Sequence, residues 1–121
     1  MCGFLGAGVP VFEIRDTAGS SSDLLVRDGK LGHALACCLG PAAVVLMRGH
    51  GSTTVGTSVR QAVYRAVYAE INARLQMAAL SLGSPEYLTP EEAAAAAQSN
   101  DKQIDRTWDL WRNEVASLSS V

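Results

Sequence analysis

Between residues 59 and 82 apolar side chains return every three or four positions. Val59, Val63, Val67, Ile71, Leu75, Ala78 and Leu82 fall on one face of an α-helix. A second row, Ala62, Ala66, Ala69, Ala73 and Met77, widens that face with small side chains, which predicts close packing against a sheet or another helix. Thr57 or Ser58 can cap its start and Gly83 can close it. The turn "SPEYLTPEE" then leads into a further helix, with Thr89 as cap, Pro90 at the first position and Glu92 at the third. The alanine run 93–97 favours helix but offers little to bury, and Trp108 and Trp111 share one face of the tail.

Upstream the period shortens. "AAVVLM", 42–47, is a continuous apolar run of strand length, which predicts a strand covered on both faces. "STTVG" reads as a second short strand after it. "VPVFEIRD", 9–16, predicts a third, with Val9, Val11 and Glu13 on one side and Phe12 and Ile14 on the other. After the loop "TAGSSSD", Ser22 or Asp23 can cap a helix over 24–38 that carries Leu24, Leu25, Leu31, Leu35 and Cys38. Gly29 and Gly32 weaken it, and Gly40–Pro41 stops it.

With 121 residues the chain makes one domain or part of one. Its 48% hydrophobic and 18% charged residues suit a packed core rather than disorder. The net charge of -2, with Lys and Arg scattered, argues against a nucleic-acid partner. No apolar run approaches the roughly 20 residues of a membrane span. The opening lacks the basic start of a secretory signal, and three cysteines without a disulfide pattern suit a reducing compartment, so a cytoplasmic location is expected. Met1–Cys2–Gly3–Phe4–Leu5–Gly6 is apolar where a domain start is ordinarily polar and frayed, so it reads as the middle of a fold.

Candidate chemistry gathers in "VVLMRGHGSTTVG", 44–56. His50 stands between two glycines at the end of an apolar strand, where a metal or ligand can approach the backbone closely. The competing explanation is a polar residue at a turn whose glycines serve only the turn. Arg48, two residues before it, shares its face if the strand continues, and either binds a substrate anion or is a solvated strand-end cation. Glu13 in a strand and Glu70 in a largely apolar helix also stand out, either as supporting groups or as solvated edge positions. His33, in "LGHALA", reads as a surface or boundary residue. No second metal ligand is visible: there is no HxH, no HExxH and no Cys pair at metal spacing.

Taken in order, "GFLGAGVPVFEI", "LGHALACCLGPAAVVLMRGHGSTTVG" and "AVYRAVYAEINARLQMAAL" resemble the C-terminal half of the class II aldolase/adducin family, over nearly the whole chain. That family includes sugar-phosphate aldolases, ribulose-phosphate 4-epimerases and decarboxylases of hydroxy-aromatic acids. The resemblance implies a three-layer α/β/α fold with a mainly antiparallel central sheet, and makes residues 1–121 the C-terminal portion of a single domain. It implies that His50 is the last of three histidines on a divalent metal, usually zinc. The other two, with an acidic residue for proton transfer, lie upstream in the family and have no counterpart here. The chain on its own is therefore expected to lack a tight metal site, and is read as a fragment. The implied activity is metal-dependent carbon–carbon bond cleavage through an enolate. The alternatives are decarboxylation of a hydroxylated aromatic acid or a non-catalytic, adducin-like interaction role. The catalytic tyrosine that fuculose-phosphate aldolase relatives carry in their C-terminal tail has no match in 98–111, and "RGHG" resembles the decarboxylase-like members better. A small-molecule substrate and a homotetramer, with the site between subunits, are implied as well.

Overall fold

The structure, a computed structural model, describes residues 2–118, so Met1 of the core-like opening lies outside the described residues. A single turn of 3₁₀ helix at Gly3–Leu5 is followed by strand β1 (Val11–Phe12) and a short helix α1 (Arg15–Ala18). Helix α2 (Gly29–Leu39), strands β2 (Val44–Met47) and β3 (Gly51–Thr54), and helices α3 (Val59–Leu82), α4 (Pro90–Asp101) and α5 (Ile104–Leu118) complete the order. The sheet runs β1-β2-β3 and is mixed: β1 pairs parallel with β2, which pairs antiparallel with β3.

β2 is the centre of this sheet, and its apolar run has neighbours on both sides. Val45 is fully buried and, with Met47, Phe12, Ile14 and Leu31, forms the core that α2 covers through Ala34, Leu35 and Cys38. On the opposite face Val44 and Leu46 line a cleft with Ala69 and Ala73 of α3, so a helix lies on each side of the sheet. That second face is only partly closed: Leu46 is 45% and Val11 58% exposed.

Three expectations need correction. The strand predicted over 9–16 is regular only at Val11–Phe12, and from Arg15 the chain turns into α1. The helix predicted over 24–38 begins at Gly29, capped by Asp28, whose side chain accepts from the Leu31 amide. Ser22 and Asp23 instead accept from the amides of Leu24 and Leu25, local bonds that hold this stretch in turns and compete with a helix. The apolar stripe of α3 does not face the described core. Val59, Leu75 and Leu82 are exposed, and the buried residues are Gln61 and Tyr64. Tyr64 stacks on Tyr68 at 4.5 Å, and both lie 6.4 Å from Trp111 of α5, which joins these two helices.

The caps read for the two later helices hold. Ser58 caps α3, and Thr89 and Glu92 form a reciprocal capping box on α4 with Pro90 in the first turn. The alanine run of α4 does find something to bury. Ala93 is 2% exposed, and α4 lies so close to the 3₁₀ turn that a Cβ on Gly3 would sit 2.3 Å from the Ala93 carbonyl oxygen.

Candidate functional site

The parallel register of β1 and β2 determines what stands at their carboxyl ends. Val11 pairs with Leu46 and Phe12 with Met47, so the next residues along, Glu13 and Arg48, come side by side. The Arg48 amide donates to the Phe12 carbonyl at 3.2 Å, and its Nε donates to Glu13 Oε2. Arg15 adds a second guanidinium through Nη2 to Oε2 at 2.7 Å and its own amide to Oε1 at 3.0 Å. With Arg15 and Arg48 both donating to it, the Glu13 carboxyl is held down to about 2. Glu13 is thus the anchor of an ion-pair cluster rather than a solvated edge residue.

Arg48, Gly49 and His50 form the turn that reverses the chain between β2 and β3. The His50 amide closes it by donating to the Met47 carbonyl at 3.0 Å. Gly49 has φ +69°, a left-handed conformation that L side chains rarely adopt, and an added Cβ would lie 3.2 Å from Leu24 Cδ1. The glycine is needed both for the turn and for the approach of Leu24 beneath it. Arg48 and His50 are turn residues and not strand residues, since β2 stops at Met47, so the alternation that would give them one face does not operate. They are near each other because the turn is tight. Both are exposed.

An exposed imidazole on a rigid turn suits a metal ligand, and the neighbouring guanidinium, tethered by Glu13, suits an anion. Among the described residues, however, no three of His, Cys, Asp and Glu gather closely enough to hold a metal ion. His33 lies exposed on α2 with Nε2 3.4 Å from Cys37 Sγ, as expected of a surface residue. Burial pushes the thiol of Cys2 up, and it donates to the Tyr68 carbonyl, which leaves no activated nucleophile there. Glu70 pairs with Arg74 one turn along α3 and takes no part in the cluster.

Sequence reasoning singles out Glu13 as unusual in a strand but misses its partner, because the pairing depends on a parallel register between segments 35 residues apart. It also passes over Arg65, which lies half-buried on α3. The available signal there was a lone cation within an otherwise apolar and aromatic stretch, "AVYRAVY".

Residues 1–77 match the family model described as Class II Aldolase and Adducin N-terminal domain. Among curated proteins the chain is similar to "Decarboxylase tropJ" of Talaromyces stipitatus, 36% identical over 95% of this chain and 51% of that protein. It is also similar to the "3,4-dihydroxyphthalate decarboxylase" of Terrabacter sp., 32% identical over 92% of this chain and 43% of that protein. The protein of the same name from Rhodococcus jostii is 32% identical over 94% of this chain and 43% of that protein. The chain thus spans about half the length of these relatives.

Proposed function

The chain belongs to the class II aldolase and adducin family, and on that footing we propose that it is part of a metal-dependent decarboxylase of a hydroxylated aromatic acid. The observation that supports this reading is that relatives 32–36% identical over more than nine-tenths of the chain are named decarboxylases. It moves decarboxylation ahead of the retro-aldol cleavage expected first, although both chemistries leave an electron pair on carbon that must be stabilised.

In decarboxylation the bond from ring carbon to carboxylate breaks, the pair stays on the ring carbon and a proton replaces the departing CO2. A hydroxyl on the adjacent carbon lets that charge spread to oxygen. A divalent metal, zinc in this reading, supplies the Lewis acid that favours charge on that oxygen. His50, held out on the glycine turn, would be the residue of this chain that holds the metal through an imidazole nitrogen. Arg48, its guanidinium fixed by Glu13, binds a substrate carboxylate from the same turn. In this reading residues 1–121 are the C-terminal portion of one domain, and the remaining ligands and the proton-transfer acid come from polypeptide beyond these residues. The assembly is a cytoplasmic homotetramer.

The test is made on the protein isolated from its source cells in the assembly it forms there. CO2 release from 3,4-dihydroxyphthalate is expected, lost on chelation and restored by zinc. His50→Gln removes bound metal and lowers turnover by more than the roughly 10–100-fold typical of losing a residue that only orients a ligand. Arg48→Gln raises KM more than it lowers kcat. Aldol cleavage of a sugar phosphate without CO2 release would return the protein to the lyase reading. An assembly with neither metal nor turnover would make it an interaction domain.

A further inference from the structure

At the other end of the sheet, where β2 begins and β3 ends, lies a cleft of about 590 Å³. The four residues of β2 separate it from the His50 turn by roughly 13 Å. Phe4, Gly6, Gly8, Gly40, Val55 and Arg65 are among its lining residues, and among the described residues of the lining Arg65 is the only charged one. A Cβ built on Gly6 or Gly8 would meet nothing within 4 Å, so this wall is open backbone.

Arg65 is unusual among the cations of this chain. Every other described lysine and arginine is exposed; Arg65 is half-buried. Its Nη1 donates to the Val55 carbonyl at 2.9 Å and its guanidinium carbon lies 5.9 Å from the centre of the Phe4 ring. Its Nε is enclosed and has no acceptor. Among the described residues no carboxylate lies within ion-pair distance of it, although five other arginines have one. A cation drawn out of water without a counter-charge, with one N–H unanswered, is costly to hold. A guanidinium presents its donors in a planar fork that matches a carboxylate or phosphate. Among the described residues of the lining, the one other side chain able to donate a hydrogen bond, Thr57, spends its hydroxyl on Gln61 Oε1.

We propose that the cleft around Arg65 binds a small oxyanion, a carboxylate or a phosphate, at a site separate from the His50 turn. The site is independent of the decarboxylase reading, since it uses no residue of that turn. The anion meets the guanidinium from the cleft side, and its body lies against Phe4, Val55 and the glycine backbone.

The experiment is a titration of the ¹⁵N-labelled protein with inorganic phosphate and, separately, with benzoate, following the arginine Nε–H resonances. A saturable shift of Arg65 is expected, with the exposed arginines moving little. The Arg65→Gln protein should bind at least about tenfold more weakly, as loss of a charge-assisted pair predicts. Arg65→Lys, which keeps the charge and the aliphatic stem but loses the fork, should fall between; it serves if the glutamine variant does not fold. Arg112→Gln, exposed on α5, should bind like the parent. Tighter binding of benzoate than of phosphate assigns the site to carboxylates with apolar bodies, and the reverse assigns it to phosphates. Linear, unsaturated shifts shared by all arginines, or undiminished binding by both Arg65 variants, would overturn the proposal.

Discussion

Glu13 carries two guanidiniums on one carboxylate, and its ionisation is the part of this cluster most open to measurement. Its folded value of about 2 lies below the ordinary 4.5, so its contribution to stability is complete above the ordinary value. That contribution fades as pH falls from 4.5 toward 2. A ¹³C carboxyl titration should give a midpoint near 2, and Arg48→Gln should raise it toward the ordinary value; an unmoved midpoint would mean that Arg15 alone sets it. Gly49 offers a second test. Alanine there must adopt a left-handed backbone and displace Leu24, which should cost about 1–2 kcal/mol by chemical denaturation. At this scale the sequence made His50 and its glycines legible, and the oddity of Glu13. It did not show that Arg48 is tethered, because nothing local to either residue encodes the register that brings them together.

Elements bounded by capping chemistry were the most legible. Ser58, Thr89, Pro90 and Gly83 act through the backbone within a few residues, so their signals survive without knowledge of the fold. Thr89→Ala should cost about 1 kcal/mol and fray the first turn of α4, visible as faster amide exchange at Glu92 and Ala93. Val45→Ala, at the fully buried centre of β2, should cost about 2 kcal/mol in urea with an unchanged denaturant slope. Legibility failed where two local preferences competed. The apolar residues at 24 and 25 suggested helix, but Leu24 has φ +66° and the side chains of Ser22 and Asp23 bind the backbone ahead of them. On α3 the stripe gave the helix its right bounds and the wrong inner face, because Gln61 and Tyr64 are what the neighbouring residues enclose.

For the whole molecule, one face of the sheet and a row of apolar residues on α3 are exposed, and the chain spans about half the length of the relatives it matches. Composition and periodicity cannot say which surfaces of a chain other polypeptide covers, and the metal role proposed for His50 comes from resemblance alone. No described helix is long and apolar enough to cross a membrane. The mixed sheet has a further consequence in time. β2 and β3 are joined by a three-residue turn, whereas the 31 residues 13–43 lie between β1 and β2. Closing the short turn costs little chain entropy and is expected within microseconds, so the hairpin assembles first and β1 docks onto its edge later. The same asymmetry should govern opening. The amides of Leu46 and Arg48, bonded to Pro10 and Phe12, should exchange with solvent before that of Val55, bonded to Ala43, so that one strand wears its two edges at different rates.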